Sequence, residues 1–210
     1  MLPNINKKFF DLPAARQNAI LNGAMKAFAI FGYRKTSTEE IAGHAGISKA
    51  LIFHYFKNKK TLYLFLYGYA LNLMIQELQK GGGLRTDGGD LFDMLKQSQK
   101  IKVRAMEKHP YLFEFIAAAY YEEDPEIVTE LGNQNNDLIG RSKANVLEKI
   151  DREKFRTDVD VPLLLDTIIW CADGMMRERM RSFDGNVQKI ADDFNQVLDL
   201  LKTLTYKKEV

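Results

Sequence analysis

The 210-residue chain sets 30 Lys+Arg against 28 Asp+Glu, a net charge of +2, with 46% hydrophobic and 28% charged residues. That is the composition of a soluble globular protein, long enough for one generous core or two small ones. A single cysteine, Cys171, excludes an internal disulfide framework and a cysteine-built zinc site. The opening MLPNINKKFFDL lacks the apolar run of a secretory signal. The most apolar stretch, 62–75, is interrupted by Gly68 and Asn72 and is shorter than the roughly 20 residues that cross a bilayer. A cytoplasmic protein with no membrane partner is expected.

The near-neutral charge is a cancellation. Residues 1–62 carry ten cations and three anions, a net of +7, while 63–210 carry 20 cations and 25 anions, a net of −5. A basic head on a mildly acidic body puts any surface for a polyanion in the head.

Nearly every segment repeats at a helical period, and no Asn-Gly-type hairpin signal lies between alternating strands. The spacing predicts an all-α fold of about nine helices. The first covers 13–31, with Ile20, Ala24, Phe28 and Phe31 on one stripe and Gly32 as its stop. Helices over 37–45 and 48–56 follow, then a long one capped by Asn58 and reaching about residue 79. GGGLRTDGGD, at 81–90, holds five of the 14 glycines and reads as a turn. The fifth helix spans 91–108 and breaks at His109-Pro110, and the sixth carries YLFEFIAAAYY, 111–121. Asp124-Pro125 is a start signal for the seventh, which runs to about 150. The eighth starts at Asp160-Val161-Pro162, with a stripe from Leu165 to Phe183. The ninth has the cleanest period: Val187, Ile190, Ala191, Phe194, Val197, Leu198, Leu201 and Leu204.

Residues 37–56 carry the densest local signals. Ser37 and Glu40 form the two ends of a capping box. Ile41, Ala42 and Ala45 face inward, the two alanines being small enough for helices to cross closely. Gly46 supplies the left-handed backbone of a tight turn, Ile47 plugs it, and Ser48 caps the next helix. Helix, short glycine turn and helix is the helix-turn-helix pattern, whose second helix enters the DNA major groove by its N-terminal half. Here that half presents Lys49, Ala50 and Leu51, then Phe53, His54 and Tyr55. A lysine can bond a guanine edge, and an apolar side chain can touch a thymine methyl. Tyr55, Lys57, Lys59 and Lys60 supply donors for phosphates. The same pattern also occurs in α-bundles that never meet DNA, in which case Leu51, Phe53 and Phe56 are core. His44 and His54 have no further His or Cys nearby, so no metal is expected.

The run T-S-T-E-E-I-A-x-x-A-G-I-S-K-x-x-I-F-H-Y-F-K-N-K-x-x-L, residues 36–62, resembles the DNA-binding head of the TetR family of bacterial transcriptional regulators. The resemblance implies a DNA-binding domain over 1–57 and an effector-binding and dimerisation domain over 58–210. It implies that Ser37 meets a phosphate, that Ser48, Lys49 and Ala50 meet phosphate or base edges, and that His54, Tyr55 and Lys59 grip the backbone. Two positions depart from the family pattern: Ala50 replaces a common glycine and Phe53 a common tyrosine. The first narrows the approach to DNA, and the second removes a hydroxyl.

The body lacks sharp motifs. Aromatic residues crowd its first and third helices (Tyr63, Phe65, Tyr67, Tyr69; Tyr111, Phe113, Phe115, Tyr120, Tyr121), and Trp170, Met175 and Met176 add bulk in the eighth helix. Such residues line pockets for apolar or aromatic small molecules, and they equally build cores. The candidate ligand residues are Phe65, Tyr69, Phe113, Tyr120, Trp170 and Met176. Asn133, Gln134, Asn135 and Asn136 read mainly as an exposed face, and Arg177, Arg179 and Arg181 as a solvated or subunit-facing edge. The resemblance implies a homodimer through the last two helices, in keeping with the two-fold symmetry of a palindromic site read one DNA turn, roughly 34–36 Å, apart.

The reading reached is a ligand-responsive repressor that binds double-stranded DNA as a homodimer and is released by a small, largely apolar or aromatic effector. The alternative is a DNA-binding protein of the same fold that is regulated by a protein partner. An enzyme is not expected, because Cys171 lies in the apolar run IIWCA, as a buried thiol would, without a His, Asp or Ser constellation. No cofactor is expected.

Overall fold

A computed structural model describes residues 3–82, 89–109, 111–180 and 186–208. Most of the glycine-rich run, together with Pro110, Arg181 and Phe183, lies outside the described residues. The fold is all-α. Among the described residues there are nine α-helices and two short 3-10 helices, Lys7–Phe9 and Arg152–Lys154, with isolated β-bridges in place of strands.

The helices are α1 (Ala14–Lys35), α2 (Thr38–Ala45), α3 (Lys49–Phe56), α4 (Lys59–Lys80), α5 (Leu91–Lys108), α6 (Leu112–Tyr120), α7 (Val128–Lys149), α8 (Val161–Met180) and α9 (Val187–Thr205). Most ends fall where the caps predict. Gly32 interrupts α1 with φ 71°, a conformation that costs a side-chain-bearing residue, and three more helical residues follow it. The start of α7 is the exception. The Asp124 side chain accepts from the Glu126 N–H at 2.9 Å, and its carbonyl accepts from Ile127 and Val128. That closes a turn over 125–127, so the helix proper begins at Val128.

The chain forms two compact units, residues 1–75 with 106–138, and residues 76–105 with 139–210. In the first, α1 packs on α2 and α6, α2 on α3, and the N-terminal 3-10 helix on α3. Gly23 permits the crossing of α1 with α2: a β-carbon there would lie 2.3 Å from the His44 carbonyl oxygen and 2.5 Å from the Ala45 α-carbon. Rings fill this core. Phe28 meets Tyr63 edge-on at 4.7 Å, Tyr63 meets Phe115 at 5.3 Å, and Phe9 meets Phe56 at 5.0 Å.

The second unit is held by α8 on α9 and by an apolar cluster. Leu91, Phe92 and Met94 of α5 pack with Val146 of α7, Leu164, Leu165 and Ile168 of α8, and Phe194 and Leu198 of α9. Cys171, expected as a buried thiol, is only partly buried. Its neighbour Trp170 is 63% exposed, so this side of α8 faces outward and the apolar run IIWCA is split between core and surface.

Candidate nucleic-acid interface

The helix-turn-helix is built by local hydrogen bonds that its sequence dictates. Ser37 Oγ accepts from the Glu40 N–H at 3.1 Å, and Glu40 Oε2 accepts from the Ser37 N–H at 2.7 Å, completing the capping box. The Ser37 N–H and the Ser37 hydroxyl, both donating to Glu40 Oε2, hold the Glu40 carboxyl below its usual range. Gly46 adopts φ 63°, ψ 34° and sends its N–H back to the last turn of α2, while the Ile47 N–H reaches the Ala42 carbonyl at 3.1 Å. Ser48 Oγ then accepts from the Leu51 N–H at 3.3 Å. From the start of α1, the Arg16 guanidinium donates to the Gly46 carbonyl at 2.8 Å and staples the turn. Ile41, Ala42, Ala45, Ile52 and Phe56 are all buried beneath it.

What this leaves outside is one end of α3. Ser48, Lys49, Ala50, Phe53 and His54 are exposed, as are Ser37 and His44. Lys49 forms an ion pair with Glu39 and lies 6.0 Å from the centre of the Phe53 ring. The hydrogen bond from Lys49 holds the Glu39 carboxyl below its usual range. An exposed pair of this kind is weak, so a phosphate or a guanine edge can displace Glu39.

Two of the anticipated DNA contacts sit differently. Tyr55 is only 8% exposed, with its ring edge-on to Phe9 at 5.8 Å. Its carbonyl accepts from the Asn6 N–H at 2.9 Å, which ties the N-terminal segment to α3. The Lys59 ammonium donates to the carbonyls of Tyr33 at 3.0 Å, Arg34 at 3.4 Å and Thr36 at 3.2 Å, and sits 4.6 Å over the Tyr33 ring. It thereby satisfies carbonyls that the end of α1 leaves open. Lys57 is exposed just past α3, with φ 66°. Of Leu51, Phe53 and Phe56, only Phe56 is fully core.

The six residues anticipated for a ligand are distributed over both units. In the first, Phe65 and Phe113 are buried, Tyr69 is partly buried, and Tyr120 is 37% exposed with its ring on Tyr121. Phe65 packs on Phe9, Phe10 and Phe56 and so supports the head. In the second, Trp170 is exposed and Met176 partly buried.

Sequence reasoning passed over a polar group in the first unit. The Tyr67 hydroxyl donates to Asn135 of α7, so this member of the amide run turns inward. One helical turn away, the fully buried Tyr63 hydroxyl finds no hydrogen-bond partner among the described residues, and burial raises its pKa. Two tyrosines four apart on an otherwise apolar stripe were the available signal. Glu122 was also passed over: its carboxylate accepts from the Tyr33 N–H at 3.3 Å, and Lys60 pairs with Glu130 at 2.7 Å. Among the described residues there is no His/Cys/Asp/Glu group able to hold a metal ion, and no helix long and apolar enough to cross a membrane.

Comparison with known proteins bears on the same segment. A profile of bacterial regulatory proteins of the tetR family matches residues 20–65. The HTH-type transcriptional regulator RutR of Escherichia coli (strain K12) is 27% identical over 131 residues, which is 62% of this chain and 60% of RutR. The HTH-type transcriptional repressor AcnR of Corynebacterium efficiens is 22% identical across 92% of this chain and 94% of its own. Among solved structures, a TetR family transcriptional regulator from Chloroflexus aurantiacus superposes with a TM-score of 0.72 at 18% identity, covering 97% of this chain and 99% of that one.

Proposed function

Since the chain belongs to the TetR family of bacterial transcriptional regulators, we propose that it is a cytoplasmic repressor. In this reading it holds a palindromic duplex as a homodimer and is released by a small, largely apolar effector. The observation that carries the reading is the end of α3: a capped helix whose first turns expose Ser48, Lys49, Ala50 and His54 in a segment of net charge +7. Ser37, Ser48 and His54 meet phosphates, and Lys49 and Ala50 meet base edges. Tyr55 and Lys59 serve as positioning residues, the first by anchoring α3 to the N-terminal segment and the second by closing the end of α1. The body spaces the two heads, through α8 and α9 of each copy. An effector shifts that spacing only by as much as it prefers one arrangement over the other.

The ring-on-ring packing of Phe28, Tyr63 and Phe115 favours the second reading, in which the body is filled and answers to a protein partner. A mobility-shift assay on the duplex upstream of the chain's own gene tests the DNA reading. Retardation that weakens steeply with salt is expected, and no retardation at low salt contradicts it. A thermal-shift screen with apolar small molecules separates the two forms of control. A raised unfolding temperature supports the effector, and none with any compound supports the partner.

A further inference from the structure

One anion stands beside the lysine at the exposed end of α3. Residues 1–62 hold only three acids, Asp11, Glu39 and Glu40, and Glu40 is consumed by the capping box with Ser37. Glu39 lies in the first turn of α2 and is exposed. Its carboxylate is held from two sides. The Thr38 hydroxyl donates to Oε2 at 3.1 Å, and the Lys49 ammonium donates to Oε1. The pair thus joins the first turn of α2 to the first residue of α3. One turn along α3, the Phe53 ring centre lies 6.0 Å from the same ammonium, at the outer reach of a cation–π contact. Acid and ring together hold Lys49 back over the end of its own helix.

The restraint bears on what a lysine does at DNA. Phosphates carry full charge and line both edges of the groove, so an untethered lysine is drawn to them, and a phosphate contact reads no sequence. An ammonium has three N–H donors. The bond to Glu39 uses one and leaves two for the N7 and O6 of a guanine. A carboxylate at this place also repels phosphates. The pair is exposed and weak, so it biases Lys49 without locking it.

We propose that Glu39 is a positioning residue for sequence discrimination. It keeps Lys49 directed at base edges instead of phosphates, and so lowers the affinity for duplexes that lack the right site. Discrimination is then gained from a repulsive element as well as an attractive one. The assignment rests on the DNA reading of α3, and it names the residue that keeps the Lys49 contact from becoming non-specific.

The test titrates a short duplex of scrambled sequence, by fluorescence anisotropy at several salt concentrations, with the full chain as wild type, Glu39→Gln, Lys49→Ala and the double variant. Glutamine keeps the side-chain length and an acceptor for Thr38, and circular dichroism checks the helices of each variant. Release of one exposed pair should tighten binding about five-fold in Glu39→Gln. The salt slope should steepen by about 1, the mark of one added phosphate contact. On the Lys49→Ala background the same change should shift affinity by less than about two-fold and leave the slope as it was. If Glu39→Gln leaves binding unchanged, or tightens both backgrounds alike, Glu39 does not act through Lys49 and the assignment fails. If wild type does not bind the duplex even at low salt, the DNA reading itself fails and the assignment with it.

Discussion

Two helix pairs, α2–α3 and α8–α9, use the same apolar residue types and end differently. In α2–α3 the residues Ile41, Ala42, Ala45, Ile52 and Phe56 are all buried within the chain, and the exposed side chains are polar or charged apart from Ala50 and Phe53. In α8–α9, which carry the longest apolar stripes, Leu163, Trp170, Leu200 and Leu204 are each more than half exposed. Lone apolar residues on a surface are ordinary, but several along two neighbouring helices mark an interface. The short pair is complete by itself, with its polar end free for a ligand. In the homodimer proposed above, the long pair is half of a packed structure whose other half a second copy supplies.

The largest effect that separates the two is expected from Phe56→Ala. Phe56 is fully buried against Phe9 and Phe65, so truncation should cost about 4 kcal/mol of stability in urea unfolding. A loss near zero would mean that α3 is not seated by its own core. Trp170→Ala should do the reverse. Helical content should be unchanged, while the dimer dissociation constant by analytical ultracentrifugation should rise about thirty-fold, the effect of removing a central aromatic anchor worth ~2 kcal/mol. An unchanged dimer would move the interface away from α8. The smallest effect is that of Ser37→Ala. It breaks the capping box of α2 and should cost about 1 kcal/mol without altering the oligomer. A larger loss would make that cap more than a local device.

Most of the head was legible in the sequence because its signals are local. A cap such as Ser37 or Ser48 acts on a backbone N–H three residues away, and Gly46 acts on its own torsion angles. The positions of Tyr55 and Lys59 were not legible, because each is fixed by a partner far along the chain. Tyr55 meets Phe9 across the N-terminal segment, and Lys59 closes carbonyls more than twenty residues earlier. For both, the sequence shows a hydroxyl or an ammonium next to a recognition helix, which reads as a phosphate contact until its internal partners are seen. In the body the limit was different. The periodicity of α8 and α9 located the apolar stripes, but the period does not say whether a stripe is covered by the same chain or by another. Asn135 had the same ambiguity, as a polar residue whose inward direction depends on helix phase relative to neighbours.

The claim at the centre of this account is that the exposed end of α3 reads DNA as one of two symmetry-related copies. Selection of binding sites from a random-sequence duplex library by the full chain at low salt tests it most directly, with Lys49→Ala run in parallel. Wild type should enrich a palindrome whose half-sites lie about one helical turn apart, and Lys49→Ala should enrich the same spacing with relaxed preference at one base pair in each half-site. Enrichment of no sequence, or of a single unrepeated half-site, would contradict it.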